Sequence, residues 1–285
     1  MFTAATKISE ENQSSEFSYE LDISGILTEI PQCLNVNIGK IEIDILNGLD
    51  YDEFDQAPVL TEDSQGVLGI IETKDLHYLF KRKMKLSFKS SFIKKDFTSS
   101  KTSFNEILRI FENTKSVLVT QGTKEEDGIV LGLLTLADLN KSSFRAILYQ
   151  LFAELEVSLS KIVDQKFEDH WEWINLLNQD QQMLLIGGWE IAKRNKVNLR
   201  PINGANLTQI LKIIGNSEEL RKAMNFNTKN KYEDSANKIP DIRNKIMHPV
   251  RPLVLNSTDV SRLRKCLISI TELQKLADQI LAAGV

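Results

Sequence analysis

Two octapeptides, GIIETKDL from Gly69 and GLLTLADL from Gly132, share a leading glycine, an apolar pair and a closing Asp-Leu, which marks this stretch as a duplicated unit. Each follows a short β-type run, APVL from Ala57 in the first copy and SVLVT from Ser116 in the second. A polar hairpin, EDSQG or QGTKEEDG, separates run from octapeptide, so each copy reads strand, turn, strand, helix. Ahead of the second copy, Phe104, Ile107, Leu108 and Phe111 fall at helical spacing and extend the unit to strand, helix, strand, strand, helix. In the first copy the matching segment, GLDYDEFDQ, predicts only a short acidic helix.

The octapeptides and the strands before them resemble a tandem pair of cystathionine-β-synthase-type (CBS) domains over roughly the first half of the chain. The resemblance implies that the string closes a strand and opens a helix. Its hydroxyl and the helix N-terminus would take a phosphate, and its Asp would take the ribose hydroxyls of an adenine nucleotide. Free N–H groups at a helix start attract anions, and a carboxylate accepts from two sugar hydroxyls. On that basis Thr135 and Asp138 form a complete nucleotide site, whereas the first copy keeps Asp75 but places Glu72 where the hydroxyl belongs. A carboxylate at that position repels phosphate. Thr135 and Asp138 also have the spacing of a capping box, which serves helix stability without any ligand.

The remaining composition bounds the class. At 285 residues with 42% hydrophobic and 26% charged positions, the chain predicts two globular domains. Cys33 and Cys266 fit neither a metal spacing nor a disulfide framework, which predicts a reducing compartment. The first twenty residues lack a signal-peptide pattern and no apolar stretch is long enough to span a bilayer, so the expectation is a cytoplasmic protein with no membrane partner. From Lys81 to Lys101 eight basic residues face Asp96 alone, with Phe88, Phe92 and Phe97 interleaved. This run joins the two copies and reads either as a solvated connector or as a nucleic-acid contact.

From Phe144 the apolar period becomes helical. Phe144, Ile147, Leu148, Leu151, Phe152, Leu155, Leu159, Ile162 and Val163 define one long amphipathic helix. Further helices are predicted over 181–194, with Gly187 and Gly188 weakening its middle, over 207–214, and over 218–224 with Asn216 and Glu219 as a capping pair. A last one over 259–281 has Leu263, Cys266, Leu267, Ile270, Leu273, Leu276 and Ile280 as its stripe. The cluster HWEW from His170 fits the plugged end of a bundle. The fold class is therefore α+β in the N-terminal part and an all-α bundle in the C-terminal part. The expected boundaries are a flexible 1–20, the repeat module 21–142 and the helical domain 143–285.

Within IPDIRNKIMHPVRP, from Ile239, Pro240 suits a first helical turn, Asp241 complements the helix dipole, and Pro249 ends the helix after His248. Asn244 and His248, four apart, share a face. Arg243, Asn244 and His248 resemble the R-N-x-x-x-H signature of the HEPN superfamily, a helical bundle that dimerises to bring two motifs together as a metal-independent RNase site. The resemblance implies that His248 acts as general base or acid on the ribose 2′-hydroxyl and the leaving oxygen, for which an imidazole suits neutral pH. It also implies that Arg243 holds the scissile phosphate and that Asn244 orients it. An acid on an early helix, Glu154 or Glu156, would pair with the arginine. One histidine per chain implies a homodimer. Between Asp241 and Lys265 six basic residues oppose two Asp, a surface suited to RNA.

The sequence thus predicts a ligand-gated endoribonuclease of defence or stress response, with an adenine nucleotide as regulatory ligand and no metal or other cofactor required. The alternatives are a non-catalytic RNA- or protein-binding regulator, and a first half that serves only as a dimerisation platform.

Overall fold

The computed structural model describes residues 23–29, 36–37, 55–61, 66–75, 78, 93–122 and 129–284. The acidic helix expected before Ala57, most of both hairpins, Cys33, and the basic run from Lys81 to Phe92 lie outside the described residues.

The duplication is visible in the strand pairing. In the first copy β3 (Gln56–Leu60) pairs antiparallel with β4 (Val67–Glu72), and β2 (Val36–Asn37) lies parallel to β3. In the second copy β6 (Ser116–Thr120) pairs antiparallel with β7 (Val130–Thr135), and β5 (Phe97–Ser99) lies parallel to β6. The register slips at equivalent places, between Val59 and Leu60 and between Val119 and Thr120. Such shared irregularities are positional features of the unit rather than accidents of either copy.

Each sheet is completed by chain that precedes the other copy. Strand β1 (Thr28–Glu29) runs antiparallel to β7, and Lys94 bridges Ile70 in β4 through paired backbone bonds of 2.8 Å. The repeated glycines permit this. A Cβ on Gly69 would stand 2.5 Å from the Lys94 carbonyl oxygen, and one on Gly132 would stand 2.5 Å from that of Thr28. No side chain fits at either place. Between the copies Ile70, Leu118 and Leu133 pack together, flanked by Val67, Phe97 and Val130.

Helix α1 (Phe104–Phe111) buries Phe104, Ile107, Leu108 and Phe111, with Ser103 as its cap. A 3-10 turn, Leu136–Asn140, follows β7 and leads directly into α2 (Ser142–Lys166). The apolar stripe predicted for α2 is buried throughout except for Ile147, which is partly exposed, and Arg145 is buried with it. Beyond it come α3 (His170–Ile174), α4 (Gln179–Arg194), α5 (Leu207–Asn216), α6 (Glu218–Ala223), α7 (Lys229–Ala236), α8 (Ile239–Met247) and α9 (Ser257–Ala283). Helix α4 continues unbroken through Gly187 and Gly188. The cap of α6 is Ser217, bonded to the Leu220 amide, while the Asn216 side chain instead reaches the Leu176 carbonyl. Trp173 of HWEW is buried in the core, whereas Trp171 is 44% exposed.

One continuous core joins the two parts. It runs from Ile23 and Ile26 through α1, β6 and β7 into α2, α5, α8 and α9. Phe104 and Phe144 stack with ring centroids 5.1 Å apart, and Arg264 of α9 reaches Asn105 on α1 at 3.0 Å. At about 1.5–3 kcal/mol per buried large apolar side chain, the four core residues of α1 anchor the second copy firmly to the bundle.

Candidate functional site

Helix α8 is seated by Ile239, Ile242 and Ile246, whose spacing turns the intervening positions outward. Pro240 and Asp241 occupy its first turn as expected. His248 caps the other end, its N–H donating to the Asn244 carbonyl at 3.1 Å. Asn244 and His248 are exposed, and among the described residues neither side chain is held by a hydrogen bond. Both are therefore available to a ligand.

Arg243 is half-buried and faces α2. Its guanidinium lies 3.9 Å from the Glu156 carboxylate, a charge contact too long to be a hydrogen bond. Glu154, the other acid considered, accepts from Gln150 at 2.9 Å instead. Burial pushes the Glu156 carboxyl above the ordinary carboxylate range, opposed by Arg243 and by the Leu207 amide. Glu156 and Arg243 line an open groove of about 320 Å³ with Tyr149, Val157, Asn203 and Met247. The structure thus places an arginine beside an acid in a groove, with an amide exposed on the same short helix and an imidazole exposed at its C-terminal cap.

Two further residues tie this helix and the loop after it to the repeat module. Arg145 is 6% exposed, and its guanidinium donates to the carbonyls of Lys245 at 2.6 Å, Arg251 at 2.5 Å and Asn140 at 3.3 Å. Asn140 accepts from the amides of Leu253 and Val254 at 2.7 and 3.0 Å and donates to the Val254 carbonyl at 2.8 Å. Sequence periodicity did not single out Arg145. The available signal was a charge three residues before Leu148 and seven before Phe152, on the buried face of α2.

In the second copy Thr135 and Asp138, expected from the resemblance to take a nucleotide, are engaged by protein. Asp138 is 4% exposed. One carboxylate oxygen accepts from the Thr135 amide at 2.6 Å and its hydroxyl at 2.9 Å, completing the capping box. The other contacts Lys141 at 2.7 Å and the Thr28 hydroxyl at 3.3 Å. Lys141 also donates to the Ile26 carbonyl at 2.9 Å, so this cluster fastens the segment before β1 to the start of α2.

In the first copy Asp75 is partly exposed at the start of the helix following β4. Glu72 is bracketed by Lys74 and Lys94, each at 2.5 Å, whose hydrogen bonds pull its carboxyl down to about 2. The repulsion expected of Glu72 is thereby offset by two cations, one of them from the basic run.

Among the described residues no cluster of three or more His, Cys, Asp or Glu side chains is arranged to hold a metal ion. Nor is any helix among them long and apolar enough to cross a membrane.

No family model and no curated protein matches the chain. Solved structures do show a likeness, to CBS-domain proteins over about 42% of the chain. A CBS domain protein from Shewanella oneidensis MR-1 is similar over 43% of this chain and 98% of its own, at 21% identity and a TM-score of 0.35. The CBS domain of the bacterial CNNM/CorC family Mg2+ transporter in complex with ATP is similar over 42% and 84%, at 20% identity and 0.33. CBSX2 in complex with AMP is similar over 44% and 97%, at 16% identity and 0.34.

Proposed function

We propose that the chain is a metal-independent endoribonuclease whose helical part is of HEPN type and whose repeated part is a tandem CBS pair that regulates it. The observation that carries the catalytic reading is the setting of Arg243 against Glu156 in an open groove, with Asn244 exposed on the same helix and His248 exposed at its cap. A guanidinium held there takes the scissile phosphate and stabilises the charge that grows on its oxygens. His248 takes the 2′-hydroxyl proton or supplies one to the leaving 5′-oxygen. The 2′-oxygen then bonds to phosphorus as the 5′-oxygen bond breaks, leaving a cyclic phosphate. Two proton transfers call for two imidazoles, and a second copy of the chain supplies the other His248.

Support for a CBS pair comes from the duplicated sheet units, their matching register slips and the two glycines that admit a strand from the other copy. In this reading the regulatory ligand is an adenine nucleotide at Thr135 and Asp138 or beside Asp75. Binding there acts on the RNase part through the 3-10 turn, since Asp138 and Asn140 share it and Asn140 grips the loop after His248. Such coupling requires the ligand to favour one arrangement of that turn over another. A second reading, in which the repeat module is a platform without ligand, is favoured by the engagement of both Asp138 oxygens with protein partners.

The deciding experiment is cleavage of labelled RNA in EDTA, with and without ATP or AMP, beside His248→Ala. Loss of at least about 100-fold in rate for the variant supports the catalytic reading. Equal cleavage by both proteins, or none in any condition, removes it.

A further inference from the structure

Helix α4 carries two apolar faces. Leu185 is buried and Ile186, Trp189 and Ala192 are partly so, which places that side on the bundle. The other side is a stripe of Asp180, Met183, Leu184, Gly187, Gly188, Ile191 and Arg194, all exposed and recurring once per helical turn. Met183 is 66% exposed, Leu184 75% and Ile191 61%, with Val197 and Leu199 exposed just beyond the helix. The outer face of a surface helix is ordinarily polar, and a contiguous apolar stripe there marks a surface that something covers.

The two glycines add a second constraint. Among the described residues a Cβ at Gly187 or Gly188 would meet nothing within 4 Å, so packing against them does not require either glycine. Each weakens the helix relative to alanine. What glycine provides at the middle of an exposed stripe is a place for another backbone to come close.

The stripe is also self-complementary about Gly187. Met183 and Ile191 lie four residues on either side of it, and Asp180 and Arg194 lie seven on either side. Two copies of α4 laid antiparallel with their crossing at Gly187 set Met183 of each against Ile191 of the other, and Asp180 of each against Arg194 of the other. A parallel arrangement would instead oppose Asp180 to Asp180 and Arg194 to Arg194. With a rise of about 1.5 Å per residue the charged positions stand about 10 Å from the crossing, a gap that the long arginine side chain spans as the helices diverge.

We propose that the outer face of α4 is a self-association surface on which a second copy of this chain docks antiparallel, crossing at Gly187. The proposal stands apart from any catalytic reading, because no residue of the Arg243–His248 segment takes part. One helix pair buries less than about 1,000 Å², so association is weak and depends on concentration.

The test is made on the full chain carrying Cys33→Ser. The Cys266 thiol stays in place, since it is buried and pushed up to about 12 and therefore unreactive. Leu184→Cys, on the same exposed stripe and leaving both glycines in place, treated with a short bismaleimide at high protein concentration, is expected to give a covalent dimer that the exposed-site control Lys212→Cys does not give. In the same crosslinking assay, which reports this face alone, Asp180→Arg and Arg194→Asp are each expected to lower the dimer yield about tenfold, and the two together to restore it to within about threefold. The surface is wrong if Leu184→Cys yields no more dimer than the control. The antiparallel docking is overturned if the single charge changes have no effect or if the double variant is weaker than either.

Discussion

Asn140 and Val254 are joined by a two-way hydrogen bond: the Asn140 amide donates to the Val254 carbonyl at 2.8 Å, and its oxygen accepts from the Val254 N–H at 3.0 Å. The side chain thereby imitates one rung of a β-ladder between the end of the repeat module and the loop that leads from His248 into α9. Arg145 secures the same loop from the other side at the Arg251 carbonyl. Together they fix where the last residue of the Arg243–His248 segment stands relative to the module.

Removing that rung orphans two amides and a carbonyl in a part-buried place. Asn140→Ala is expected to lower stability by about 2–3 kcal/mol, and Asn140→Asp, which still accepts, by less. Hydrogen exchange should show the amides of Leu253 and Val254 opening faster in both variants. Unchanged exchange there would mean that the loop is held by other contacts.

Asp138 ties together Thr135, Lys141 and Thr28 with almost no exposure. Asp138→Ala is therefore expected to lower the melting temperature with no nucleotide present, by an amount equivalent to about 2–4 kcal/mol. An unchanged melting temperature, coupled with loss of a nucleotide-induced shift, would assign the carboxylate to the ligand alone.

The Glu72 carboxyl falls from its ordinary 4.5 to about 2 because Lys74 and Lys94 donate to it. A group whose value drops on folding gives stability that is complete above 4.5 and is lost as pH falls toward 2. In acid titrations followed by circular dichroism, Glu72→Gln should flatten this limb of the stability curve. Identical acid limbs for the two proteins would show that the lysines are not held on Glu72 in solution.

Glu156 behaves in the opposite sense. Burial raises its carboxyl, so the charged form costs stability once pH rises through that elevated value. Glu156→Gln is expected to melt higher than the native chain at neutral pH and to match it below about pH 4, where both side chains are uncharged. A lower melting temperature at neutral pH would mean that the Arg243 contact outweighs the cost of burying the acid.

Much of this architecture could be read in the chain. The glycines at 69 and 132 announced the duplicated strands, and the stripes of α2 and α9 announced long buried helices, because hydrophobic period is a local property. The Arg243–His248 segment stands out in the sequence by its spacing and its bracketing prolines. What escaped involves partners remote in sequence. The engagement of Asp138 by Thr28 spans 110 residues, and the hold of Arg145 on Arg251 spans 106. Glu72 drew its second lysine from 22 residues away, and Phe104 met Phe144 across the expected domain boundary. No local periodicity encodes such pairings, which arise only when the sheet and bundle close on one core.

The proposed RNA cleavage by Arg243, Asn244 and His248 proceeds through attack of the ribose 2′-hydroxyl. Mass analysis of the products made in EDTA tests this most directly. The expected result is fragments ending in a 2′,3′-cyclic phosphate, formed by the native chain and reduced at least about 100-fold in His248→Ala. Fragments carrying 5′-phosphates, or cyclic ends formed equally by the His248 variant, would contradict it.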